Sequence, residues 1–255
     1  MPILEINDLS QRFGGLQALT DFNMTVGQRE MVGLIGPNGA GKTTVFNLVS
    51  GFYTPTRGEI RFEGRNTSRL KPHQVTALGL ARTFQNIRLW NDMSVLDNLR
   101  IAQYHWLGYG LADAVWRTRR YREREQRIEV KCREILEMMD LGEYAGELPK
   151  NLPYGLQRRV ELARALSTNP RLLLLDEPAA GLNSADVDGL IRLIRWVNLE
   201  FKIAIWMIEH QMKVVMSLCQ RLVVIDFGRT IASGTPQDIQ NHPQVIKAYL
   251  GDVAL

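Results

Sequence analysis

The sequence predicts an α/β fold with a mainly parallel sheet covered by helices on both faces. Three observations predict it. Short apolar runs alternate with helix-like segments along most of the chain, as strands joined by helical crossovers do. Two runs, Leu172 to Leu175 and Ile203 to Ile208, are apolar without alternation, as strands buried on both faces must be. A third run, Met31 to Ile35, leads into Gly36-Pro37-Asn38-Gly39-Ala40-Gly41-Lys42-Thr43-Thr44 and then a helix-like segment from Val45 to a Gly51 stop.

Strand, glycine-rich turn, Lys-Thr and helix make a phosphate-binding loop, the P-loop. Gly36, Gly39 and Gly41 let the backbone turn its N–H groups inward toward an anion. The following helix adds the partial positive charge of its N-terminus. Lys42 is placed to reach β- and γ-phosphates, and the Thr43 hydroxyl to reach Mg²⁺. A glycine-rich turn matching by chance would lack the flanking strand and helix.

The chain has 255 residues, enough for one large α/β domain with a sizeable core. With 45% hydrophobic and 23% charged residues, the balance is that of a globular protein. No apolar run approaches the ~20 residues of a membrane span. The Met1-Pro2-Ile3-Leu4-Glu5 start has no secretory pattern. Cys132 and Cys219 stand alone, which fits a reduced, cytosolic compartment. The net charge of +4 permits contact with an anionic membrane surface but is too small to argue for nucleic acid.

Taken in order, Ile3 to Leu9 alternates as an edge strand would, and Phe13 follows near a turn. Phe13 is either a platform for a nucleotide base or a core-lining aromatic. Ala18 to Val26 and Glu59 to Phe62 read as strands, and Pro72 to Leu78 as a short helix. Leu80 to Gln85 reads as a buried strand whose last residue, Gln85, either completes an Mg²⁺ or water shell or closes a loop. Ser94 caps a helix through Ala102, with Asp97 three residues on. Leu111 to Met139 reads as one long helix or a pair, and its Arg117–Arg127 stretch is dense in charge. That stretch is either a solvated face or a contact for lipid headgroups or an acidic partner. Gly155 to Ser167 and Asn183 to Glu200 read as helices, Leu222 to Asp226 and Arg229 to Ala232 as strands, and Pro236 to Leu250 as a helical tail.

The chemistry sits at strand ends, where open α/β sheets bind ligands. Asp176 ends the Leu172–Leu175 run and would hold the metal through water; Glu177 would polarise the attacking water as general base. This carboxylate pair is expected two strands away from the P-loop. His210 ends the next buried strand and would reach the γ-phosphate.

The ordered set resembles the nucleotide-binding subunit of an ABC transporter over nearly the whole chain. Gly36 to Thr43 matches the Walker A motif, and Leu172 to Asp176, with Glu177 after it, the Walker B motif. Gln85 matches the Q-loop, Phe13 the adenine-stacking residue, His210 the switch histidine, and Leu152-Pro153-Tyr154-Gly155-Leu156 the signature segment. Arg12 to Leu16, Arg82 to Gln85, Asp176 to Asn183 and Ile246 to Gly251 are similar to ATP-binding subunits of branched-chain amino acid uptake systems. The resemblance implies a P-loop NTPase core with an N-terminal antiparallel β subdomain (residues 1–85 and 165–255) and an α-helical subdomain (about 86–164). It implies an ATP hydrolase using Mg²⁺ held by Thr43, Gln85 and Asp176, with Glu177, His210 and Lys42 catalytic. It implies two ATPase subunits, the same or different, closing over two ATP molecules. It also implies two permease subunits, a periplasmic binding protein acting indirectly, and a place on the cytoplasmic side of the cell membrane. Related systems for urea, amides or lipopolysaccharide share much of this pattern, and soluble ABC ATPases share part of it.

The signature departs from the family's Leu-Ser-Gly-Gly-Gln. Pro153 replaces the serine and Leu156 the glutamine. Proline offers neither hydroxyl nor N–H. Each hydrogen bond lost to a charged group weakens the contact with the partner's ATP by roughly 1.5–3 kcal/mol. Ala180-Gly181-Leu182-Asn183 also departs from the wider family's Ser-Ala-Leu-Asp. An unequal pair of sites in a heterodimer is expected.

Overall fold

The computed structural model describes residues 1–106 and 108–250. The chain divides into two compact units, Met1–Gln85 with Arg171–Leu255, and Asn86–Pro170.

In the first unit, among the described residues, a six-stranded sheet runs in the order β10 (Arg229–Gly234), β9 (Arg221–Asp226), β3 (Met31–Ile35), β8 (Ala204–Ile208), β7 (Leu172–Asp176), β6 (Leu80–Arg82). All neighbours are parallel except the β10–β9 hairpin. One face of β7 and β8 (Leu172, Leu174, Ala204, Trp206, Ile208) joins a core with Phe46 of α1 (Lys42–Val49). The Phe46 and Trp206 rings meet edge to face at 5.0 Å. The alternate residues Leu173, Leu175, Ile205 and Met207 are equally buried. Both faces are therefore covered, which is why these strands read as unbroken apolar runs.

A second sheet, β2 (Leu16–Val26), β1 (Leu4–Phe13), β4 (Arg57–Phe62), β5 (Arg65–Asn66), is antiparallel and packs its apolar face into the same core. The edge position expected for the first strand is corrected. β1 pairs with β2 on one side and β4 on the other. Its alternation reflects one buried face, which a central strand also has. The strand expected over residues 80–85 ends at Arg82, and Gln85 lies beyond it. The unit also holds α2 (Pro72–Ala77), α7 (Ser184–Phe201), α8 (Met212–Leu218), α9 (Pro236–Gln240) and α10 (Pro243–Leu250). The helical tail is two helices because Pro243 cannot extend the first. The Asn183 side chain accepts from Asp186 N–H at 3.0 Å, capping α7.

The second unit is helical. α3 (Val95–Ala102) packs against α5 (Arg119–Met138) and α6 (Tyr154–Ser167), and α4 (Leu111–Val115) against α5. Ser94 caps α3, accepting from Asp97 N–H at 3.0 Å. The long 111–139 segment is a pair of helices, broken at Arg117, whose φ of +47° no helix accommodates. No helix among the described residues is long and apolar enough to cross a membrane.

Candidate active site

The glycine-rich turn links β3 to α1 and is cut to glycine by its neighbours. Gly36 has φ +154°, and a Cβ there would sit 2.0 Å from the Ile225 carbonyl oxygen. Gly41 has φ +104° and would meet the Ala18 carbonyl at 2.8 Å. Any side chain at either position would displace backbone. Ala40 is buried, Pro37 half-buried, and Asn38, Gly39 and Thr43 are exposed; Thr44 is half-buried in α1. No side chain caps α1, so its first N–H groups have no side-chain acceptor at the cap. Lys42 is buried, and its Nζ donates to the carbonyls of Gly36 at 2.7 Å and Pro37 at 2.9 Å. Burial lowers its pKa, against the opposing pull of Glu177 and Asp176.

β7 lies two strands from β3, with β8 between them. Asp176 and Glu177, adjacent in sequence, occupy different environments. Asp176 is buried, and its Oδ2 accepts from Arg82 Nη2 at 2.7 Å, with side chains 7% and 5% exposed. Glu177 has left the strand with φ +47°, a strained conformation for this residue. Its Oε2 accepts from Gln85 Nε2 at 2.7 Å and lies 3.7 Å from His210 Nδ1. The His210 side chain is half exposed at the end of β8. Glu177, Gln85 and His210 thus meet just beyond the ends of β7, β6 and β8, next to Asp176 at the end of β7, while Lys42 opens α1 after β3. Phe13 ends β1 at the hairpin to β2; it is 40% exposed and meets Tyr53 edge to face at 5.2 Å.

Two residues that sequence reasoning missed organise this cluster. Arg82 Nη1 donates to Asn47 Oδ1 at 2.8 Å and Ser50 Oγ at 2.9 Å while Nη2 holds Asp176. Its guanidinium sits among the Phe46, Phe52 and Phe84 rings, at 5.5, 5.8 and 5.0 Å. It ties the helix after the P-loop to the end of β7. Glu209 is fully buried; its Oε1 accepts from Ala179 N–H at 2.9 Å and its Oε2 from His210 and Gln211 N–H at 2.8 and 2.9 Å. It closes the turns after β7 and β8 together. A charged residue inside or directly after a buried apolar run was the available signal for both.

In the second unit the signature segment opens α6. Pro153 is its N-cap and offers no side-chain bond. Leu152 is buried, Pro153, Tyr154 and Gly155 are exposed, and Leu156 is half-buried. A Cβ on Gly155 would meet nothing within 4 Å, so the helix start is open for approach. Arg158 stacks on the Tyr154 ring at 5.4 Å and pairs with buried Glu161 at 3.2 Å, fixing the first turn.

The family model of the ABC transporter matches residues 19–180, and that of the branched-chain amino acid ATP-binding cassette transporter matches residues 229–254. The chain is 45% identical to the high-affinity branched-chain amino acid transport ATP-binding protein BraF of Pseudomonas aeruginosa, covering 98% of both chains. It is 43% identical to LivG of Escherichia coli, which bears the same description, again over 98% of both. The solved ADP conformation of MJ1267, an ATP-binding cassette of an ABC transporter, superposes with a TM-score of 0.86 at 28% identity, covering 99% of this chain and 100% of that one. A phosphate loop, a carboxylate pair two strands away and relatives matched almost end to end lead to one conclusion: the chain belongs to the ATP-binding proteins of the ABC transporter family.

Proposed function

We propose that this chain is the ATP-hydrolysing subunit of an importer of branched-chain amino acids. It works on the cytoplasmic side of the cell membrane with a second ATPase subunit, two permease subunits and, indirectly, a periplasmic binding protein. The nature of the cargo rests on what the relatives are named for and on the C-terminal family match. The observation that carries the hydrolytic reading is the Glu177 carboxylate held by Gln85 at 2.7 Å beside His210, on the same sheet as the P-loop.

The steps follow from these groups. Nucleotide phosphates enter the turn, and Lys42 exchanges the Gly36 and Pro37 carbonyls for β- and γ-phosphate oxygens. Amides of residues 38–44 bind the same phosphates. Phe13 and Tyr53 offer a ring surface to the base. Glu177 accepts a proton from water as its oxygen attacks the γ-phosphorus; the bond to the β–γ bridging oxygen breaks, leaving ADP and phosphate. Gln85 holds the carboxylate, and His210, beside Glu177, would meet the γ-phosphate. The residues present fit Mg²⁺: Asp176, Thr43 and Gln85 supply oxygen donors, the chemistry of a hard cation. Among the described residues no three His, Cys, Asp or Glu cluster to hold a metal alone, as suits a cation bound mainly by nucleotide phosphates. When bound, Mg²⁺ neutralises charge on those phosphates.

The test is uptake by vesicles carrying the assembled complex. Leucine, isoleucine and valine enter with ATP and fail to enter with Glu177→Gln, which still binds ATP. A complex that hydrolyses ATP but moves none of the three would overturn the cargo assignment.

A further inference from the structure

We propose that α4 and the first turns of α5 form a surface that docks on anionic lipid headgroups. α4 has no buried residue. Leu111, Val115 and Trp116 are 84%, 67% and 76% exposed. Four residues apart, Leu111 and Val115 share one side of the helix, and Trp116, the C-cap residue, adds a third exposed apolar side chain at its end, about 100° round from Val115. Single exposed apolar side chains are ordinary, but three large ones on so short an element are not. Asp113 lies on the opposite side, where its carboxylate accepts from Gly110 N–H at 3.1 Å and the Thr118 hydroxyl at 2.9 Å. These bonds turn its charge away from the apolar face.

Cations follow at once. Residues 111–127 hold six arginines, Arg117, Arg119, Arg120, Arg122, Arg124 and Arg127, against three acids. The acids are engaged: Asp113 as above, Glu123 with Arg119 at 2.6 Å, and Glu125 with Arg100 at 3.0 Å and Tyr109 at 2.7 Å. Among the described residues Arg117, Arg120 and Arg122 form no ion pair. α5 opens with Arg119, Arg120 and Arg122 and no acid in its first turn, the wrong sign for its dipole. An external layer of anions relieves that repulsion. The surface is firmly mounted: Thr118 caps α5, and the Tyr109 and Tyr121 rings meet at 5.2 Å.

A phosphate-rich lipid surface suits both halves of this patch. Trp and short aliphatics settle at the boundary between headgroups and acyl chains, and guanidinium groups pair with phosphates. An acidic protein loop would satisfy the arginines and leave the apolar face wet. One short apolar face and a basic flank give weak, salt-sensitive, reversible binding.

The experiment measures co-sedimentation of the full chain with phosphatidylglycerol-containing and pure phosphatidylcholine vesicles. Binding is expected only to the anionic vesicles and falls as salt rises. Replacing Arg117, Arg120 and Arg122 by Gln lowers the partition coefficient about fivefold per arginine. Leu111→Ser with Trp116→Ser lowers it with the charges intact. Brominated lipid quenches tryptophan emission in the parent and spares it in Trp116→Phe. Unchanged nucleotide affinity in every variant shows that each is folded. Equal binding by parent and variants overturns the proposal. So does a parent that ignores anionic vesicles while the variants lose assembly with permease subunits in detergent, which would make the patch a protein interface.

Discussion

Arg82 and Arg122 are the same residue type used in opposite ways. Arg82, 5% exposed on its side chain, bonds Asn47, Ser50 and Asp176 and sits among three aromatic rings. Arg122 stands exposed, bonded through Nε to the Arg117 carbonyl and to no carboxylate among the described residues. At the strand ends of the first unit, charges hold one another in place, so a substrate meets a prepared arrangement. At the start of α5 in the second unit, exposed charges remain available to whatever arrives. Charged residues that fix geometry and charged residues that await a ligand are told apart by their partners, not by their identity.

That contrast can be broken in the first unit. The largest effect is expected from Glu177→Gln: loss of the general base lowers turnover by about 10²–10⁴-fold with ATP binding retained, read as phosphate release by the assembled complex. Undiminished turnover would show that the Gln85–Glu177–His210 cluster is architectural. Arg82→Met leaves Asp176 buried without its counter-charge and costs about 3–5 kcal/mol. Chemical denaturation measures it, and a loss under 1 kcal/mol would mean the pair is as weak as surface pairs. Lys42→Ala removes charged hydrogen bonds of roughly 1.5–3 kcal/mol each, so ATP affinity falls at least tenfold in a titration. The smallest effect sharpens the comparison from the second unit. Pro153→Ser supplies α6 with the cap it lacks, raising stability by about 1 kcal/mol and hence the melting temperature. Turnover of the assembled complex rises too if the proline weakens the contact with the partner's ATP.

What could be read in the sequence follows from how local each signal is. The P-loop, the acids after Leu175 and the Ser94 cap are spelled out by adjacent residues, and their positions in the fold follow. Arg82 escaped because its partners come from two distant segments: the parallel pairing of β6 with β7 brings Asp176 near, while Asn47 and Ser50 come from α1 and its C-cap. Glu209 escaped because its partners are backbone N–H groups, which carry no residue identity. α8 escaped because seven residues, Met212–Leu218, are too few for a clear period. β1 was misjudged as an edge because alternation reports burial of a face, not the number of neighbours.

One buried carboxylate fastens Ala179 to His210 and Gln211. The two turns it joins therefore travel as a single part. A contact that drew His210 inward would pull on one oxygen of this carboxylate while the other holds Ala179, and the tug would pass toward Ala180–Asn183 and the foot of α7. Rigid linkage of this kind would carry a change at His210 to the turn after β7, and Glu209 is the pin that would have to be cut to silence it.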